Sequence, residues 1–353
     1  MNPLLLTVAL WSGLYTIVAL SVNIEYGYGG IPNFGRALAV LMGGVAVGGL
    51  LNRLLMAYFK VSGGIVEASG QVKSLGNELV ASNPVWGVLL LVLSLFLAAT
   101  LGGAAGALFI LPSAKLSEDY LAITLLAISE VAFLASNYNV DLIGGYYGVS
   151  VPDVLVFIPG GERLSAFAAL SVALALGAYW LAERLLNTPY GRALRSMREN
   201  DAVARAYGKD VMMLRIKAVA VGSAIAATAG ALYSLYSVNV IATSFSRVEW
   251  TFYPILMVLL GGAGNNLGAC LGAILFVAFR ILLITYKFEL THLMRLPFEA
   301  VWLEYILFGV VMLLILMYRP VGLLREKPIY TQPIKAVLEA RKKKVSQSRG
   351  GEV

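Results

Sequence analysis

The chain has little of what soluble enzymes are built from. A single cysteine, Cys270, stands among 353 residues, so no intramolecular disulfide can hold the fold. A single histidine, His292, excludes a two-histidine metal site within the chain. Charged residues make up 13%, well short of the roughly 25% of an ordinary soluble domain. No G-x-S-x-G nucleophile motif is present. The one Gly-Lys pair, Gly208-Lys209, is followed by Asp210, so the phosphate-binding loop G-x-x-x-x-G-K-[ST] is missing as well. If nucleotide hydrolysis drives this protein, another chain performs it, and no cofactor is expected.

What the chain has is hydrocarbon: 59% of its residues are hydrophobic. Several apolar runs exceed the roughly 18–20 residues that a helix needs to cross a bilayer. Nine candidate spans follow, at about 3–22, 33–58, 85–110, 119–137, 164–187, 212–238, 250–264, 267–286 and 299–318. The seventh is short and ends in Gly261-Gly262-Ala263-Gly264, which marks it as a half-span or a broken helix. The first lacks a charged n-region and an A-x-A cleavage site, so it reads as a retained span.

The net charge of +7 would fit nucleic acid in a soluble protein. Here it concentrates in a tail and in one island, as the positive-inside rule produces, and no nucleic-acid partner is expected. The island, Thr188–Lys217, carries seven of the 27 Lys and Arg residues. Placing it in the cytosol fixes the rest by alternation. Connections near 23–32, 111–118 and 188–211 and the C-terminal tail then lie inside, and those near 59–84, 138–163, 239–249 and 287–298 outside. With span ends assigned to the nearest loop, 19 cations fall inside and 8 outside. The N-terminus is then outside and the C-terminus cytoplasmic. A transmembrane region over 1–324 contains the cytoplasmic loop 188–211, and a basic cytoplasmic tail, 325–353, follows.

Within the island, Tyr190, Leu194, Met197, Val203 and Tyr207 supply an apolar stripe, arginines take the other faces, and Gly208 is a plausible helix stop. Such a helix either docks on a cytosolic partner or lies on anionic lipid. Arg341-Lys342-Lys343-Lys344 reads as a solvated polybasic segment near the membrane. The G-x-x-x-G pairs Gly44/Gly48, Gly102/Gly106, Gly264/Gly268 and Gly268/Gly272 indicate close helix packing in lipid. Glycine clusters at span ends (Gly27 to Gly30, Gly144-Gly145, Gly261-Gly262) either border a solute path or are ordinary turns. Glu130, an acid at membrane depth, faces the bundle or a cavity, as a pathway group or a structural hydrogen-bond partner. Glu304 is a weaker case of the same kind.

Several segments taken in order resemble the permease subunit of branched-chain amino acid ABC importers. They are Ser21 to Gly30 with Asn33-Phe34-Gly35, then Asp119 to Leu125 with Glu130, and Gly144-Gly145-Tyr146-Tyr147-Gly148. Thr188 to Arg195 with Arg198-Glu199-Asn200 follows, and Gly261 to Gly264 and Arg319-Pro320-Val321-Gly322-Leu323 complete the series. The docking loop lacks the terminal I-x-L-P of the general importer signature, Val61–Asn83 has no matching pattern, and Arg36 and Arg53 bracket the second span where small or polar residues are expected.

The resemblance implies an all-α polytopic membrane bundle of about 8–9 spans with a cytoplasmic coupling helix. It implies a multi-pass protein of the cell membrane that works with two cytoplasmic ATPase subunits, a second homologous permease and an extracytoplasmic binding protein. The substrate it implies is a branched-chain or related apolar amino acid, with urea, short amides or another small solute as the alternative. Coupling to the ATPase would fall to Tyr190, Arg192, Leu194, Arg195, Met197, Arg198, Glu199, Asn200 and Gly208. The candidate path residues are Gly29, Gly30, Asn33, Glu130, Gly144, Gly145, Gly261 and Gly262. A cation-coupled secondary carrier using Glu130 is the rival class; the island and the lack of a visible inverted repeat count against it.

Overall fold

The computed structural model describes residues 2–294, 300–319 and 321–326, with isolated positions at 336, 338 and 339. The basic run after Glu326 and the His292 side chain lie outside the described residues.

Asn2 opens α1 (Pro3–Val22): its side chain accepts from the Leu4 amide, and Pro3 takes the first position, where no amide is needed. The helix continues through a π-helical turn, Asn23–Tyr28. α2 (Arg36–Gly44), a second π turn (Val45–Leu51) and α3 (Asn52–Phe59) form one continuous span. α4 (Ile65–Ser82) occupies the stretch for which the sequence offered no pattern. Its buried positions Ile65, Ser69, Val72, Gly76 and Val80 recur every three or four residues, an amphipathic period too weakly apolar to read beside true spans. Asn83 and Pro84 then start α5 (Pro84–Ile110) as Asn2 and Pro3 start α1.

α6 (Glu118–Tyr138) and the single turn α7 (Val140–Ile143) follow, then the two-residue strand β1 (Val149–Ser150) and α8 (Gly160–Leu186). The island is two helices, α9 (Pro189–Glu199) and α10 (Asp201–Ala206), broken at Asn200. Asn200 leaves helical geometry and caps the second helix by accepting from the Val203 amide, 3.0 Å away. α11 (Val211–Ser237) begins with Asp210 as its cap and leads to β2 (Asn239–Val240), which pairs antiparallel with β1. A third π turn, Val248–Phe252, runs into α12 (Tyr253–Gly261). α13 (Asn266–Met294) and α14 (Ala300–Tyr318) complete the bundle.

Seven of the described helices are long and apolar enough to cross a membrane. The α12 region is the short member that the glycines at its end announced. Three spans form the centre: those of α1, α2–α3 and α11 are 72% buried over their apolar windows, while α5, α6 and α8 turn most of their surface outward. Small residues make the central seam. Gly102 and Gly106 of α5 lie against Ala227 and Ser223 of α11, where added side chains would collide.

The connections sort onto two ends, as alternation requires. At one end Asn52 donates to the Ser150 carbonyl (2.9 Å), α4 supports β1 through Ser69, and Arg163 ties Asp153 to the Tyr236 carbonyl. At the other end Arg215 donates to the carbonyls of Ala114 and Leu116 and reaches Asp201 on α10. The island, the turn after α1 and the turn after α12 all share this second end.

Candidate functional site

The island is bolted to the bundle by its own arginines. Arg198 donates to the Gly27 carbonyl and to Glu326 Oε2 (2.7 Å), and Gly30 packs on its side chain. Arg195 lies 4.7 Å over the Tyr28 ring and 3.5 Å from Glu326 Oε1. These two side chains turn inward, at 13% and 25% exposure. Leu194 and Met197 are buried with them, and Gly191 sits on the Leu186 carbonyl.

The apolar stripe does not continue as one face. The break at Asn200 redirects α10, which leaves Val203 at 49% and Tyr207 at 82% exposure. Arg192, Glu199 and Asn200 are also exposed, and Gly208 follows α10 with a positive φ of 73° that glycine adopts freely. Tyr190 is half-buried; its hydroxyl has no hydrogen-bond partner, and burial, with the charge of Glu25 adding to it, pushes its phenol pKa up.

The C-terminal stretch explains two of the sequence signals together. Leu323 and Leu324 donate to the carbonyls of Leu260 and Gly261, and Asn265 reaches the Arg325 carbonyl. Gly262 has a φ of 115°, with the Leu324 carbonyl where a side chain would sit, and Gly261 packs on Gly268. Asn23 completes the clamp: it donates to Asn266 Oδ1 and accepts from the Gly264 amide, and Asn266 donates to Glu183 of α8.

A cavity of about 450 Å³ opens between the end of α1 and α12. Glu25, Tyr26, Asn33 and Arg36 line it from one side, and Phe252, Ile255, Leu256 and Leu259 from the other. Two of the three π turns border it; such turns redirect side chains and recur at functional sites. Glu25 and Arg36 form an ion pair, 1% and 0% exposed, and Asn33 donates to Glu25 Oε2 at 2.9 Å.

The path residues chosen from sequence therefore divide. Asn33 lines the cavity, and Gly29 and Gly30 shape the turn beside it. Gly261 and Gly262 belong to the clamp behind it. Gly144 and Gly145 sit at the opposite end, in a turn with φ of 78° and 55° closing on Asn137 and Gly148. Glu130 pairs with Arg247 Nε at 2.9 Å, both partly exposed. Sequence reasoning passed over Glu25, and it noted Arg36 only as a departure; their separation of eleven positions across a turn hid the pairing. It also missed Arg280, counted as a loop cation. Arg280 reaches Glu304 (2.8 Å), Tyr15 (2.9 Å) and Glu249 (2.6 Å) and lies 4.8 Å from the Tyr253 ring.

Comparison with known proteins agrees with this architecture. No solved structure matches the chain. It is 56% identical over 328 residues to the probable branched-chain amino acid transport permease protein LivM of Methanocaldococcus jannaschii, covering 93% of this chain and 95% of the relative. It is 28% identical over 252 residues to the high-affinity branched-chain amino acid transport system permease protein LivM of Escherichia coli, covering 65% of this chain and 56% of that one. The LivM protein of Salmonella typhimurium matches to the same extent. A family described as the branched-chain amino acid transport system permease component matches residues 4–316, and the chain belongs to that family.

Proposed function

We propose that this permease carries branched-chain amino acids across the cell membrane as one of two related permeases in an ATP-driven importer. Two cytosolic ATPases and an external binding protein would complete the assembly. The carrying observation is the α9–α10 unit. It is fixed to the ends of α1 and α12 through Arg195, Arg198 and Glu326, yet it holds Tyr207 and Val203 out in the open. A large, exposed apolar–aromatic pair on a rigid mount is what a docking surface for a moving partner needs. The end carrying it is then the cytosolic one.

In this reading Arg192, Glu199, Val203 and Tyr207 meet the ATPase, and Arg195 and Arg198 pass its motion to α1. The test is the double charge substitution Val203→Glu with Tyr207→Glu in the co-expressed importer. ATPase co-purification and ATP-dependent leucine uptake should both fall, while the permease keeps its wild-type thermal stability. Undiminished co-purification would move the docking surface elsewhere. Uptake of urea but not leucine by the intact importer would overturn the substrate class.

A further inference from the structure

We infer that the cavity beside Asn33 binds the transported solute itself, as a zwitterion whose charged head exchanges with the Glu25–Arg36 ion pair. The substrate class rests on the function proposed above; the site rests on the cavity.

The pair is buried but underused. Arg36 Nη2 is taken by Glu25 Oε2, but Nε and Nη1 have no hydrogen-bond acceptor, and Glu25 Oε1 has no donor. A buried guanidinium is costly when its donors are idle, and it favours any ligand that occupies them. The head of an α-amino acid places a carboxylate and an ammonium side by side. The carboxylate suits the planar fork of Arg36, and the ammonium suits Glu25. Both the pair and the zwitterion are neutral, so their exchange leaves no net charge buried. A neutral solute such as urea has no means of parting the two charges.

The remaining walls define the other half of the ligand. Ile31, Phe34, Ile255, Leu256 and Leu259 are all apolar, and about 450 Å³ falls within the range of small-molecule sites. They suit a branched aliphatic side chain. Water does not reach either charged group in this conformation, so the entering head must separate them. Separation would be felt at the coupling unit. Glu25 lies two residues from Gly27, whose carbonyl Arg198 holds, and the partnerless Tyr190 hydroxyl is within the reach of its charge.

The test places a reporter thiol at the cavity rim, Phe252→Cys, with Cys270→Ala to silence the native cysteine, in the complete importer. Maleimide labelling is followed in nucleotide-free and vanadate-trapped states. In at least one state, leucine at about ten times its half-saturating concentration should slow labelling about tenfold, because only the empty fraction reacts. Leucinamide, which lacks the carboxylate, should protect about tenfold less well.

Arg36→Gln should remove the difference between the two ligands. If that variant fails to assemble, Leu256→Trp fills the cavity without touching the pair and should abolish protection. Equal labelling with and without leucine in every state, or no labelling in any state, overturns the site. Leucine uptake that continues under those results leaves the importer reading intact; loss of leucine specificity in wild-type uptake defeats that reading separately.

Discussion

Two buried arginines divide the labour of this bundle. Arg280 spends each of its guanidinium nitrogens: Nε on Glu304, Nη1 on Tyr15 and Nη2 on Glu249, with Tyr253 against its face. Arg36 is buried more completely and satisfied less; Nη2 meets Glu25, while Nε and Nη1 have no acceptor. A saturated buried charge is a strut, because every change to it exposes an unpaired partner. An unsaturated one beside a cavity is poised for a ligand. The difference lies in hydrogen-bond satisfaction, not in depth or charge.

The largest effect should come from the strut. Arg280→Leu leaves two carboxylates without their cation, and breaking a buried pair costs about 3–5 kcal/mol. The expected result is loss of assembled permease, read by fluorescence-detected size exclusion and thermal melting in detergent. Adding Glu249→Gln and Glu304→Gln to Arg280→Leu should recover much of that loss, since no charge is then left unpaired. Wild-type stability in the single variant would end the distinction.

Arg→Lys substitution sharpens the same comparison at each site. Lysine keeps the charge and loses the fork. At Arg280 it cannot serve three acceptors set around a planar group, so melting should fall by several degrees. At Arg36 stability should hold, while leucine uptake falls about tenfold through the half-saturating concentration. Equal stability losses at the two positions would make Arg36 a second strut.

The sequence made the bundle legible and its polar connections obscure, for a physical reason. Span positions follow from apolar run length, which is local, and the α12 break from Gly261-Gly262, also local. The island's cytosol-type charge was visible too. Its geometry was not: the break at Asn200 turns Val203 and Tyr207 outward, and Arg195 and Arg198 fold inward onto Tyr28 and Gly27. The partners of Arg198 are 128 and 171 positions away, and those of Arg280 are 24, 31 and 265 away. Periodicity carries no information about such pairings. Glu25 was quoted within a motif without being singled out, because a π turn decides where its side chain points.

A smaller effect is expected at the bolt between the α9–α10 unit and α1. Arg198→Ala removes charge-assisted bonds to Gly27 and Glu326, worth on the order of 1.5 kcal/mol at a quarter-exposed site. Assembly should survive with a slightly lower melting temperature. Coupling should not: ATP hydrolysis by the importer should continue with less leucine moved per ATP. A proportional fall in hydrolysis and uptake would mean that Arg198 serves assembly only.

The smallest effect belongs to Glu130, which the sequence marked as the notable membrane acid. Its partner Arg247 is 2.9 Å away, but the two are 32% and 43% exposed. Among the described residues the pair stands alone, with one partner on each side and no place in a larger network, so it should contribute less than the Arg280 cluster. Glu130→Gln keeps the shape and a hydrogen-bond acceptor for Arg247, so melting and leucine uptake should both stay near wild type. The measurement also discriminates mechanisms. A carrier that moves solute with a cation would need this carboxylate to bind and release charge in each cycle, and the amide would stop it. Abolished uptake in a stably assembled Glu130→Gln importer would therefore make the Glu130–Arg247 pair a working site, and hydrogen-bond satisfaction would no longer separate strut from site in this fold.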